Sequence, residues 1–137
     1  MTEIRGISVT IAVSDLDSAV ELYRRAFGLP EPRRDVSEAD RVEVALFAFG
    51  DSQLHLIAGT DPESMIAKEV AEKGEGIHHF GFVVESVDDA LASLAANEIR
   101  TLGDAGRAGA FGNVTGFVHP RSTRGVLVEL IQPPQGA

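Results

Sequence analysis

Cysteine and tryptophan are both absent from the 137 residues. The lack of cysteine excludes a disulfide framework, thiolate metal sites, iron–sulfur clusters and a cysteine nucleophile. Any metal must therefore bind to imidazole and carboxylate groups. Long apolar runs are also missing: residues 42–49 form one of the longest, far short of the roughly 20 residues that a membrane span needs. No signal-peptide core is recognisable near residue 1, so we expect a cytoplasmic protein that binds no membrane.

Basic residues are scarce, with 12 Lys and Arg against 21 Asp and Glu and a formal charge of −9. Phosphate backbones attract basic surfaces, so this balance argues against nucleic-acid binding, and an anionic ligand would need a local basic patch. Apolar residues make up 44% of the chain and charged residues 24%. This composition favours a folded protein with a buried core over a disordered one, and the length predicts one domain spanning 1–137.

The sequence contains an internal repeat. Residues 7–13 alternate in the manner of a β-strand and are followed by acidic helix caps and an apolar helical pattern, and the same order returns from residue 79 onward. Aligning Asp17 with Asp88 gives an offset of 71 residues, which is 88 minus 17. This offset places Ser8 on His79, so the two residues occupy equivalent positions in their first strands.

Each repeat continues with further predicted strands, 41–49 and 53–58 in the first half and 112–118 and 126–132 in the second. The pattern predicts an α+β fold built from two βαβββ modules, 4–60 and 75–133. A connector, 61–74, joins them, and Thr60-Asp61-Pro62 is its predicted helix start. Modules of about 55 residues are too small to be stable alone and should share one sheet surface. An ordinary α+β domain with a chance similarity between its halves is the alternative.

Three side chains at related repeat positions form a candidate metal site. His55 corresponds to Glu129 in the later strands, and His79 lies in the first strand of the second module. Two imidazoles and one carboxylate suit a divalent transition metal with open positions for water or substrate. The alternative for each histidine is a solvated or hydrogen-bonded imidazole, since no compact metal motif such as HExxH is present.

Two second-half motifs, Glu-Gly-Ile-His-His-Phe-Gly-Phe-Val-Val at 75–84 and His-Pro-Arg-Ser-Thr-Arg-Gly-Val-Leu-Val-Glu-Leu at 119–130, resemble those of the methylmalonyl-CoA epimerases. These enzymes belong to the vicinal oxygen chelate superfamily, also called the glyoxalase/bleomycin resistance/dioxygenase superfamily. The resemblance extends through 11–19 and 61–68, so it covers nearly the whole chain. It implies paired βαβββ modules that form a curved mixed sheet around a metal-binding cleft.

The resemblance also implies an activity: a metal-dependent isomerase that interconverts (2R)- and (2S)-methylmalonyl-CoA by removing the C2 proton through an enolate. The implied metal ligands are His55, His79 and Glu129. Glu43 matches the family's general base, and the candidates for the second proton transfer are Glu129 and a water-linked group. Ser8 stands where the family usually has a first-strand histidine. The implied cofactor is a divalent ion (cobalt, zinc, manganese, nickel or magnesium), and the implied assembly is a homodimer.

Four residues are candidates for binding the acyl-CoA substrate. Ser8 is one, and Ser122 and Thr123 lie in a polar loop beside the strand that carries Glu129. His119 is the fourth, although shaping the turn before Pro120 is an equally good role for it.

Two other functions fit the same fold. Two histidines and one carboxylate also form the site of non-haem iron dioxygenases, and a diverged decarboxylase is a related possibility. A metal-free protein that binds small molecules is the third hypothesis, because the superfamily includes proteins that sequester drugs.

Overall fold

The computed structural model describes residues 2–135, which contain three α-helices and eight strands. Two short 3-10 turns, Ala110–Gly112 and Pro120–Ser122, complete the regular structure. The order of elements is two successive βαβββ modules joined by one helix, so the predicted α+β fold is confirmed. No helix in the described part of the chain is long and apolar enough to span a membrane. In chain order the elements are β1 (Ile4–Ala12), α1 (Leu16–Phe27), β2 (Arg33–Ser37), β3 (Val42–Phe49), β4 (Ser52–Gly59), α2 (Met65–Lys73), β5 (Gly76–Val84), α3 (Val87–Ala96), β6 (Thr101–Ala108), β7 (Val114–Val118) and β8 (Val128–Gln132).

The backbone groups into two compact units. One unit contains 9–78, and the other contains the residues up to Ser8 together with those from His79 onward. Strand β1 is therefore divided between them: its first residues, through Ser8, group with the second module. Ser8 and His79, which the repeat makes equivalent, belong to the same unit for this reason.

Helix α1 covers one face of the first unit's sheet. Its amino terminus is capped by Asp15, whose side chain accepts from the backbone N–H of Asp17 and Ser18, and its carboxyl end is closed by Gly28 in the left-handed conformation. Strands β2, β3 and β4 pair antiparallel. The packed face stabilises the unit by about 2 kcal/mol for each large side chain buried. Its buried members are Val13, Leu16, Val20, Ala45, Phe47, Leu56 and Ala58.

The connector helix begins later than the sequence predicted. Thr60-Asp61-Pro62 was the expected start, but α2 begins at Met65. The physical reason is Ser64, which is 1% exposed and whose hydroxyl accepts from the backbone N–H of Ala67. Ser64 lies against Gly59, where a β-carbon would come within 2.7 Å of its hydroxyl oxygen. The cap is therefore fixed by packing against β4.

The second unit contains strands in the order β1-β5-β8-β7-β6. Strands β5 and β8 are parallel, whereas β8 with β7 and β7 with β6 are antiparallel. Helix α3, capped by the Ser86 hydroxyl, covers one face of this sheet. The opposite face of the sheet is left available for other side chains. The buried members of the core between helix α3 and the sheet are Val84, Val87, Ala90, Leu91, Val118, Val128 and Leu130.

Candidate active site

The second unit brings two of the predicted site residues into direct contact. His79 Nε2 lies 3.1 Å from Glu129 Oε1, and the two side chains are only 9% and 12% exposed. The parallel register between β5 and β8 pairs Gly81 with Glu129. His79 lies two residues before Gly81 and so shares its face of the strand. The pair is therefore built by sheet register, from residues 50 positions apart in the chain.

Strand alternation places this pair on the face away from helix α3. Phe80 and Phe82 on β5 pack against the α3 core, and so do Val128 and Leu130 on β8. His79 and Glu129 alternate with these residues and point the other way. The sheet backbone therefore separates the polar pair from the apolar core.

The neighbouring histidine is engaged elsewhere. His78 Nε2 lies 2.6 Å from Glu69 Oε2 on helix α2, in the first unit. The adjacent histidines of the His-His motif therefore have different partners, and each bonds a different glutamate.

Phe117 is a site residue that the sequence analysis missed. It lies directly opposite Glu129 in the antiparallel β7–β8 register. Its ring centroid is 5.4 Å from that of His79, with an interplanar angle of 81°, which is an edge-to-face contact. Strand alternation in β7 could have identified it, because Phe117 must point to the face opposite that of its neighbours Gly116 and Val118.

Ser8 contributes a buried hydroxyl to the same face. It is 0% exposed, and its Oγ has no hydrogen-bond partner within residues 2–135. A β-carbon built on Gly81 would lie 2.8 Å from this Oγ and 2.5 Å from the Glu129 carbonyl oxygen. Gly81 has no side chain because the backbone of β8 and Ser8 leave no room for one. Since residue 81 shares a face with His79, the Ser8 hydroxyl lies on that face as well.

The imidazole nitrogen and carboxylate oxygen of the His79–Glu129 pair are atoms of the kind that bind divalent metals. An octahedral divalent ion binds its nitrogen and oxygen ligands at about 2.1 Å, so two adjacent ligands lie about 3 Å apart. The observed separation of 3.1 Å fits. No group of three or more His, Asp and Glu side chains suited to a metal is assembled in the described structure. The same 3.1 Å separation is that of a hydrogen bond, so metal binding by this pair and by a third ligand is still a prediction.

The predicted third ligand, His55, lies on β4 in the first unit. It is 8% exposed, and its Nε2 lies 2.8 Å from Oε1 of Gln53, two residues earlier on the same strand face. Leu46 is its cross-strand partner on β3. Gln53 is a further polar residue beside a predicted ligand that the sequence analysis did not single out.

Glu43 and His55 lie on opposite faces of the β3–β4 ribbon. Glu43 pairs with Ala58, which faces the α1 core, whereas His55 pairs with Leu46. Residues 43 and 46 differ by three positions, so their side chains alternate to different sides. Glu43 is half-buried at the start of its strand.

The three remaining candidates organise the turn between β7 and β8. His119 Nδ1 accepts from the backbone N–H of Arg121 at 3.1 Å. The Ser122 hydroxyl accepts from the backbone N–H of Arg100 at 3.0 Å, and the Thr123 hydroxyl donates to the carbonyl of Val126. Turn shaping, the alternative raised for His119, is thus what these contacts perform.

Comparison with known proteins gives a consistent family. Residues 8–118 match the model of the Glyoxalase/Bleomycin resistance protein/Dioxygenase superfamily. The mitochondrial methylmalonyl-CoA epimerase of Mus musculus is 32% identical over 131 residues, which cover 90% of this chain and 70% of that protein. The ethylmalonyl-CoA/methylmalonyl-CoA epimerase of Cereibacter sphaeroides is 33% identical over 127 residues, covering 90% and 94%.

A solved structure shares the whole fold. A methylmalonyl-CoA epimerase in complex with methylmalonyl-CoA and NH4+ superposes with a TM-score of 0.85 at 33% sequence identity. The match covers 98% of this chain and 96% of that one. The similarity therefore includes both βαβββ modules and every strand that carries a site residue.

Proposed function

This chain belongs to the Glyoxalase/Bleomycin resistance protein/Dioxygenase superfamily, and on that premise we propose that it interconverts the two C2 epimers of methylmalonyl-CoA. Its named relatives and structural neighbours are epimerases, so the chain is an epimerase, a member of the isomerase class. The substrate is proposed from the ligand and names of those proteins.

The observation that carries the proposal is the buried His79–Glu129 pair. A carboxylate that is 12% exposed and held 3.1 Å from an imidazole is positioned for chemistry on a bound molecule. The contact lies on the sheet face that helix α3 does not cover, so the core does not need it. A pair that served packing alone would cost desolvation without adding apolar contact.

We propose that His79 and Glu129 hold a divalent metal and that His55 is a third ligand. The 3.1 Å separation supports the first two. Support for His55 comes from its correspondence with Glu129 in the repeat. Such an ion supplies Lewis-acid stabilisation of negative charge as it develops on a substrate carbonyl oxygen. The unpartnered Ser8 hydroxyl leaves a further donor or acceptor on the same face.

Epimerisation needs one group to remove the C2 proton and another to deliver a proton to the opposite side. We propose Glu129 for one of these transfers, because its carboxylate is buried beside His79 and lies on the open face. Glu43 is the proposed second group on the basis of the resemblance. The register pairs Glu43 with Ala58, on the α1 side of β3.

The Ser8→Ala variant tests whether the Ser8 hydroxyl affects substrate binding or protein stability. A fully buried hydroxyl without a partner costs free energy in the folded protein, so its removal should leave the free energy of unfolding unchanged or raise it by up to about 1 kcal/mol. If the hydroxyl binds substrate, KM should rise several-fold at the same time. Denaturant unfolding and steady-state kinetics measure the two effects. A loss of stability with an unchanged KM would contradict a substrate contact at Ser8.

The proposed function predicts that a single epimer of methylmalonyl-CoA is converted into an equal mixture of the two epimers. Chiral analysis of the acyl group measures this conversion. Ethylmalonyl-CoA run in parallel tests the width of the acyl pocket, since the Cereibacter sphaeroides relative is named for both substrates. Removal of metal by a chelator should stop conversion, and added cobalt should restore it. Failure to convert either substrate in the presence of cobalt would reject the proposal.

We also propose a homodimer, as the resemblance implies. Ile4 on β1 is more than half exposed and offers apolar area for such an interface. The mass of the protein in solution, measured by light scattering, tests this directly.

A further inference from the structure

We propose that Phe117 is a positioning residue that fixes the orientation of the His79 imidazole. This inference rests on the proposed function, in which His79 Nε2 is a metal ligand. A histidine ring has a broad, roughly two-fold torsion about its last side-chain bond. Without restraint the ring can present either nitrogen or a carbon to Glu129. A productive site needs Nε2 at that position for most of the time.

A hydrogen bond and an aromatic contact restrain the ring. Glu129 Oε1 lies 3.1 Å from Nε2, and the Phe117 ring meets the imidazole edge to face at a centroid distance of 5.4 Å. Phe117 and Glu129 are cross-strand partners in the β7–β8 register. The aromatic and the carboxylate are therefore held at a fixed spacing by the sheet, and the imidazole is bounded by both. Rotation of the ring would break the hydrogen bond and the edge-to-face contact together.

Phe117 is not part of the hydrophobic core against which Phe80 and Phe82 of this unit pack. The flanking Gly116 faces helix α3, because a β-carbon there would lie 3.2 Å from Leu91 Cδ1, and Val118 is a member of the α3 core. Phe117 alternates with them and points to the open face, where it is only half-buried. Its contact with His79 is thus a reason for a phenylalanine at this position that core packing does not supply.

The test compares Phe117→Leu with Phe82→Leu as a matched control. Phe82 also forms an edge-to-face pair, with Phe80 at 5.4 Å and 79°, but on the α3 side of the sheet. Phe117→Leu should weaken cobalt binding about tenfold in competition with a chelator, the lower end of the effect typical of residues that orient a metal ligand. Phe82→Leu should lower stability and leave cobalt affinity unchanged. Phe117→Tyr, which keeps the ring, should retain wild-type affinity.

A second readout needs no metal. In the metal-free protein, the ring ¹⁵N shifts of His79, assigned with His79→Gln, should report a proton fixed on Nε2. In Phe117→Leu they should move toward the average of the two tautomers. Unchanged shifts in Phe117→Leu, or equal changes in Phe82→Leu, would overturn the inference. Absence of cobalt binding by the wild-type protein would instead reject the proposed metal site, while the nitrogen shifts would still decide the role of Phe117.

Discussion

Replacement of Glu129 by glutamine is expected to slow interconversion of the methylmalonyl-CoA epimers by about 10²- to 10⁴-fold, the contribution typical of a positioned proton-transfer group. Glutamine has nearly the same shape, and its carbonyl oxygen can still accept from His79 Nε2, which lies 3.1 Å from Oε1. The amide carries no negative charge and cannot take up the C2 proton. The variant therefore keeps the hydrogen bond with His79 but removes both the proton acceptor and the charge of a proposed metal ligand, so its turnover is compared with that of the wild type at saturating cobalt.

The matched control is Glu85→Gln, the same substitution in the same unit. Glu85 is 58% exposed and pairs with Arg5 at 3.7 Å. Exposed ion pairs of this kind contribute little to the free energy of unfolding. Its loss should leave turnover and stability unchanged. Turnover of Glu129→Gln within a few-fold of wild type, with a folded protein, would contradict the assignment of Glu129.

Glu43→Gln, measured in the same assay, decides the second transfer. A loss comparable to that of Glu129→Gln would support a two-base mechanism in spite of the register that directs Glu43 toward the α1 side. Unchanged turnover would remove Glu43 from the mechanism and leave Glu129 as the proposed proton-transfer residue.

The second large effect is expected for His79→Gln, which should lower the affinity for a divalent metal by at least about 100-fold and reduce epimerisation with it. Glutamine is preferred to alanine because its amide can still donate to Glu129. Alanine would leave a buried carboxylate unpaired, and breaking such a pair costs about 3–5 kcal/mol. Elemental analysis of the purified protein and titration with cobalt give the stoichiometry and the affinity.

His78→Gln is the control for this prediction, because it makes the identical substitution at the adjacent position. His78 bonds Glu69 on α2 rather than Glu129, so its replacement should cost about 1 kcal/mol of stability and leave metal content unchanged. Equal loss of metal from both variants, or retention of metal by His79→Gln, would refute the proposed ligand.

The repeat in the sequence was sufficient to predict the modular fold. The acidic cap of the first helix and the matching helix in the second half are local signals, and the structure confirms them at Asp15 and after Ser86. Strands β2 and β6 were not located, because both are largely exposed and carry few apolar side chains to alternate. Their pairing with β3 and β7 is a tertiary interaction that a short segment does not encode by itself.

Part of the site followed from the repeat, and part depended on register. His79 and Glu129 were predicted to bind one metal ion together with His55, which stays a prediction, and the structure shows a direct contact between the first two. Phe117 was missed because its place opposite Glu129 is set by the turn that connects β7 to β8. The face of Glu43 likewise depends on its pairing with Ala58. A shift of one residue in the strand register would turn Phe117 or Glu43 to the opposite face of the sheet. The sequence alone could not determine the face of either residue, because it does not fix the register.

The central claim is that this protein removes and replaces the C2 proton of methylmalonyl-CoA at the His79–Glu129 site. The most direct measurement is deuterium uptake at C2 when a single epimer is incubated in D₂O with the cobalt-loaded protein. The account predicts deuterium at C2 in step with epimer conversion for the wild-type protein, and little of either for Glu129→Gln. Conversion without deuterium at C2, or equal uptake by the two proteins, would contradict it.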